Sequence, residues 1–73
     1  MKKKITITTP FIRLDALLKF ADLVQSGGEA KLVIQDGLVS LNGEICTMRG
    51  KKCVVGDQVE IGDVSILVAG DAS

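Results

Sequence analysis

Residues 4 to 9 read Lys-Ile-Thr-Ile-Thr-Thr, with β-branched residues in alternation, and Pro10 closes the run. Alternation with a period of two marks a half-buried strand, and proline cannot donate to a ladder, so a strand ending at Pro10 is expected. The period then lengthens. Within Arg13 to Val24, residues Leu14, Leu17, Leu18, Ala21 and Val24 recur at helical spacing, while Asp15, Lys19 and Asp22 take the other side. That is an amphipathic helix with one buried stripe. Asp15 and Lys19 stand four apart with the acid first, a pair worth about 0.2–0.5 kcal/mol on a helix surface.

A second helix is predicted directly afterwards. Ser26 is followed three residues later by Glu29. In such a capping box the hydroxyl accepts a first-turn N–H and the carboxylate reaches back. Ala30, Val33 and Ile34 form the apolar stripe, Lys31, Gln35 and Asp36 lie outside it, and Gly37 supplies the left-handed stop. From Leu38 the period returns to two. Val39 and Leu41 flank Ser40, and Asn42-Gly43 is a hairpin turn signal because a type I′ turn needs positive φ at both positions. This register sets Cys46 opposite Val39, pointing inward. It also sets Glu44 beside Leu41, for which a bulge or a longer turn is the expected relief. Arg49-Gly50 and Gly56-Asp57 mark loops, and Val59-Glu60-Ile61 is a further strand. Ile61 to Ala69 forms a last hairpin turning at Gly62-Asp63, with Val64, Ile66 and Val68 on one face, and Gly70 to Ser73 is expected to fray. The open edge of that hairpin is left either to residues 4 to 9 or to another copy of the chain. The fold class is α+β, with two short N-terminal helices packed against a small, mostly antiparallel sheet.

Seventy-three residues, 47% of them apolar and 25% charged, suit one domain over positions 1–73. With two Phe and neither Trp nor Tyr, the core must be aliphatic, and any stacking on bases falls to Phe11 or Phe20. Nine basic residues balance nine acidic ones. The balance is uneven along the chain: Lys2, Lys3, Lys4 and Arg13 precede the first acid, and Arg49, Lys51 and Lys52 form a second cluster. A neutral total can therefore hide a basic face. The N-terminus lacks the apolar core of a signal peptide and no run approaches a membrane span, so a cytoplasmic protein with no membrane partner is expected.

Catalytic chemistry finds little to stand on. There is no histidine, and Cys46 and Cys53 lack the neighbours that would activate a nucleophile or complete a zinc site, so reduced structural cysteines are expected. Asp57, in Val-Gly-Asp-Gln-Val, reads as a turn residue. Gly27-Gly28 fits neither a phosphate loop nor a dinucleotide fingerprint, since both require other spacings and the dinucleotide motif a preceding strand. The pair reads as a tight connection between helices, whose free N–H groups can still favour an anion, although Glu29 competes for them. No enzymatic activity, cofactor, metal or small-molecule substrate is expected.

Arg13-Leu14-Asp15-Ala16-Leu17-Leu18, then Ser26 with Ala30, Ile34, Gly37, Val39, Leu41-Asn42-Gly43 and Val55-Gly56-Asp57 with Val59 and Ile61, resemble the S4 RNA-binding domain, or αL motif. The resemblance spans about residues 11–61. Gly27-Gly28-Glu29-Ala30-Lys31 and Arg49-Gly50-Lys51-Lys52 are similar to the small stand-alone S4 proteins of the YaaA and YbcJ type. It implies non-catalytic binding of structured RNA, ribosomal RNA or tRNA, with ribosomal particles as a further partner. The implied surface combines the two helices with the loop after the first strands. Arg13 matches the arginine opening the family's first helix, Lys31 lies on its second, and Arg49, Lys51 and Lys52 supply the loop. These five are the candidate RNA-binding residues. One position departs from the pattern: Gly27 stands where the family commonly has an arginine after the capping serine. The alternative expectation is a protein-interaction module in a translation- or ribosome-associated assembly, recognisable by an exposed apolar patch of several hundred Å².

Overall fold

The N-terminal alternation does build a strand, two residues earlier than expected and in a parallel pairing. The computed structural model describes residues 1–70. Its elements are β1 (Lys2–Ile7), β2 (Ile12–Arg13), α1 (Leu14–Phe20), α2 (Gly27–Gln35), β3 (Val39–Leu41), β4 (Glu44–Ile45), β5 (Lys52–Cys53), β6 (Gln58–Ile61) and β7 (Val64–Gly70). The main sheet has the order β1-β7-β6-β3-β4, and β2 and β5 form a separate antiparallel ribbon. Only β1 and β7 run parallel, from Lys2 opposite Ser65 to Ile7 opposite Gly70. The last hairpin's edge is thus covered by the chain's own first strand. Gly70, expected in a frayed end, is instead held in that pairing, and residues 71–73 of that expectation lie outside the described residues.

The first helix is shorter than its apolar spacing suggests. It stops at Phe20, because Asp22 adopts φ +62° and the Leu23 amide donates back to the Leu18 carbonyl at 3.1 Å. This is the left-handed stop usually given to glycine, and α2 ends in the same way at Gly37 (φ +76°), where the Leu38 amide donates to the Val33 carbonyl. Ala21 and Val24 still reach the core, from the connection rather than from a helix. Spacing alone cannot separate the two, since both deliver a side chain to the same layer. Asp15 pairs with Arg13, Nη2 to Oδ2 at 3.2 Å, rather than with the expected Lys19.

At the start of α2 the capping box forms as expected. Ser26 Oγ accepts from the Glu29 amide at 3.2 Å, and Glu29 Oε1 accepts from the Gln25 amide at 3.0 Å. Asn42 (φ +52°) and Gly43 (φ +88°) make the β3–β4 turn, and the Cys46 amide donates to the Val39 carbonyl as the register required. No bulge relieves Glu44: it pairs directly with Leu41. The short edge strand β4 leaves its side chain in water, so the pairing costs little.

The buried layer is aliphatic. Leu14, Leu17 and Leu18 of α1 and Ala30 and Ile34 of α2 pack on Val39, Val59, Ile66 and Val68 of the sheet, with Ile12 and Cys53 of the ribbon closing one end. Each of these larger side chains contributes roughly 1.5–3 kcal/mol on burial. Both phenylalanines stay at the surface.

Candidate nucleic-acid interface

A helix N-terminus leaves backbone N–H groups without intrahelical partners, and these need acceptors from elsewhere. In α1 the residue at the capping position is Arg13, whose side chain makes no capping bond. The acceptors come from far along the chain. The Leu14 amide donates to the Lys51 carbonyl at 2.9 Å and the Asp15 amide to the Arg49 carbonyl at 3.1 Å, while Asp15 Oδ1 accepts from the Ala16 amide at 2.8 Å. The β2–β5 ribbon continues the contact, with Arg13 paired to Lys52 and Ile12 to Cys53. The loop's backbone is spent on capping the helix, and Arg49, Lys51 and Lys52 remain exposed beside Arg13.

Four of the five candidate residues are therefore brought to one place by backbone bonding. Arg13 is held outward by Asp15, with its side chain 55% exposed. Its Nη2 would lie 3.7 Å from a Cβ placed on Gly50. Lys52 sets its Nζ 4.8 Å from the centre of the Phe11 ring, a cation–π contact that fixes the ammonium at the rim of the ribbon.

Towards α2, a shallow recess of about 210 Å³ is lined by Arg13, Asp15, Ala16, Lys19 and Gly27. Gly27 is the first residue of α2, and a Cβ there would meet no atom within 4 Å. The Glu29 carboxylate turns back to Gln25. The carboxylate thus stays at the start of α2, where with Ser26 Oγ it occupies the Gln25 and Glu29 amides and competes with an anion, as the sequence suggests. Lys31 is exposed one turn beyond Gly27, on the same side of α2 by its four-residue spacing, and lies further from the ribbon than the other four candidates do along the chain path.

Lys19 was not expected here. It looked like the partner of Asp15, but it lines the recess with Arg13 and Gly27 instead. The signal available was its position six residues after Arg13 and three after the small Ala16, on the helix side turned from the leucines. Lys2 and Lys4 belong elsewhere. They alternate with the half-buried Ile5 and the buried Ile7, and so occupy the sheet face turned from the helices.

The remaining polar residues do structural work. Asp57 Oδ2 accepts from the Val54 amide at 2.9 Å, and its Oδ1 accepts from Asn42 Nδ2 at 3.1 Å, tying two turns together. The Cys53 thiol is pushed up from 9.0 to about 11, first by burial, then by Asp57 and Cys46, against a smaller lowering by Lys51. A thiol held protonated is a poor nucleophile. Among the described residues no group of three or more His, Cys, Asp or Glu is placed to hold a metal ion, and no helix is long and apolar enough to cross a membrane.

Residues 5–69 match the family model for the S4 domain. Over 61 residues, covering 84% of this chain and 86% of the relative, the sequence is 46% identical to the Bacillus subtilis (strain 168) protein named "Probable ribosome maturation protein RlbA". Two helices packed on a small, mostly antiparallel sheet agree with that assignment, and the chain belongs to the S4 domain family.

Proposed function

We propose that this protein is a non-catalytic binder of structured RNA, ribosomal RNA above tRNA, acting as a single S4-like domain of the stand-alone YaaA and YbcJ type in the maturation of ribosomal particles in the cytoplasm. The observation that carries this reading is the use of the Arg49 and Lys51 carbonyls to cap α1, which gathers Arg49, Lys51 and Lys52 beside Arg13 in a chain of zero net charge. Lys31 extends the cationic strip along α2, and Lys19 joins it. Spaced cations of this kind suit the phosphates of an A-form stem, which is recognised by shape and backbone more than by base sequence. The likeness to a relative named for ribosome maturation favours ribosomal RNA as the ligand.

The test is a salt titration of binding to a ribosomal RNA pool, with wild type beside a Lys51→Glu/Lys52→Glu variant. Each neutralised phosphate adds roughly −0.7 to −0.9 to the slope of log K against log salt. The wild type is expected to bind with a slope of several such units and the variant to lose association. Absence of binding at low salt sinks the reading. Exposed Leu32, Leu38, Ile45 and Met48 support a second reading, a protein contact within the same assembly. That reading gains if RNA-free ribosomal proteins capture the chain and Leu38→Ser abolishes the capture.

A further inference from the structure

We propose that Phe20 is a stacking platform for one unpaired base of the bound RNA, so that the preferred ligand is a stem carrying an extrahelical nucleotide rather than an uninterrupted duplex. This rests on the RNA reading above and adds a ligand class to it.

The chain has two aromatic side chains, and they differ in availability. Phe11 is 37% exposed and has the Lys52 ammonium over its ring. Phe20 is 71% exposed at the last position of α1, and no cation lies over it among the described residues. It sits between two clefts of about 320 Å³ each. One is lined by Ala16, Lys19 and Phe20, and the other by Phe20 with Ile12 and residues 5–9, at and just beyond the end of β1. Volumes at the lower limit of ligand sites, roughly 300–1,000 Å³, suit a single ring system rather than an extended ligand. Ala16 lies one helical turn before Phe20, and its small side chain leaves the approach to the ring open.

The neighbouring charge selects the occupant. Ala16 lies between Arg13 and Phe20, lining the Phe20 cleft and also the recess with Arg13 and Gly27. Lys19 borders both the Phe20 cleft and the recess that holds Arg13 and Gly27. A phosphate held by Lys19 therefore places its own nucleotide against the ring. Thr9 Oγ1 is engaged with the Phe11 carbonyl at 2.7 Å, while Thr8, which also lines the second cleft, makes no side-chain hydrogen bond among the described residues. A duplex keeps its bases inside the stack and cannot use such a platform, whereas a bulge or loop base can be splayed onto it.

The experiment compares two stem RNAs of equal nucleotide number, one uninterrupted and one with a single bulged 2-aminopurine, against wild type, Phe20→Ala and Phe20→Trp. Because Phe20 is exposed, both variants are expected to fold, which circular dichroism checks. Phe20→Ala is expected to weaken binding of the bulged stem roughly 5- to 100-fold, while leaving the uninterrupted stem and the salt slope unchanged. Phe20→Trp introduces the chain's only tryptophan, whose emission should be quenched by the bulged stem and not by the uninterrupted one, and the 2-aminopurine emission of the bulged stem should change on binding this variant. Equal binding of the bulged stem by wild type and Phe20→Ala overturns the platform and leaves the phosphate reading intact. Failure of the wild type to bind either RNA at low salt overturns both. Loss on Phe20→Ala of association with ribosomal particles, with no effect on either naked RNA, assigns the ring to a protein contact and also overturns the platform.

Discussion

Restoring the family's arginine at position 27 is the sharpest test of how this chain holds its ligand. A Cβ on Gly27 meets nothing within 4 Å, and among the glycines with left-handed φ position 27 does not appear, so a side chain enters without steric or backbone strain. On stability two small effects oppose each other. A cation in the first turn works against the helix dipole by about 0.3–1 kcal/mol. Replacing glycine by arginine in a helix returns up to about 0.8–1.0 kcal/mol, less at the first position than in the interior. Tm should therefore move by only a few degrees. The new guanidinium would project beside Arg13 and Lys19 at the recess they share with Gly27. One additional exposed contact is worth roughly 0.5–1 kcal/mol, or 2- to 5-fold in affinity. Because it neutralises one more phosphate, it should also steepen the salt slope by about 0.7–0.9. Filter binding or fluorescence anisotropy against a ribosomal RNA pool, across a range of salt, reads both quantities. Gly27→Gln serves as the uncharged control and should leave the slope alone. An arginine variant that is folded, yet binds no tighter and with an unchanged slope, would refute the placement of the RNA backbone across the start of α2.

Asp22 occupies a left-handed position better suited to glycine. Asp22→Gly should raise stability by about 0.5–1 kcal/mol, or Tm by roughly 2–8 °C, and a fall in Tm would show that the aspartate makes a favourable local contact. Since the Cys53 thiol is raised to about 11 in the folded chain against 9.0 unfolded, the unfolded state loses that proton first as pH rises. Its contribution is therefore complete below pH 9 and is lost as pH climbs towards 11, so urea midpoints should fall more steeply across that window in wild type than in Cys53→Ala. In the native state, a thiol reagent should label the half-buried Cys46 well before Cys53, and equal rates would contradict the burial. Deleting Gly50 shifts the Arg49 and Lys51 carbonyls away from the start of α1. Each lost cap should cost about 0.5–2 kcal/mol, and an unchanged Tm would mean that other acceptors replace them.

Local features of the fold were legible because their causes lie within a few residues. Ser26 and Glu29 carry their own cap, Gly37 its own stop, and Asn42-Gly43 its own turn. The first helix was overextended for the opposite reason. Its apolar spacing continues through Ala21 and Val24, and nothing in the residue type of Asp22 announces a positive φ. The β2–β5 ribbon was not anticipated, since two-residue strands have no period to read and owe their pairing to contacts made across the whole intervening chain. The same limit applied to the site. Arg13, Arg49, Lys51 and Lys52 could be named from charge and family pattern, but their approach depends on a cap supplied from more than thirty residues away. Lys19 was missed because an i, i+4 acid was available to explain it, and Asp15 turned to Arg13 instead.

The division of labour at that cap explains how so small and neutral a chain can present a cationic surface at little cost to its stability. Gathering like charges is unfavourable, so the residues carrying them must be held by something other than their side chains. Here the holding is done by the main chain. The Leu14 and Asp15 amides bind the carbonyls of Lys51 and Arg49, and the ribbon fixes Lys52 opposite Arg13. The side chains of Arg49, Lys51 and Lys52 enter no ion pair among the described residues. Arg49 and Lys51 need not break an ion pair before meeting a phosphate, Lys52 gives up at most its cation–π contact with Phe11, and replacing any of the three leaves the cap in place. Charge and fold are in this way nearly separable at the loop. At Arg13 they are not, because its guanidinium is shared with Asp15, so neutralising Arg13 also frees a carboxylate to repel the same ligand. A loss larger at Arg13 than at any single loop cation is what this arrangement requires.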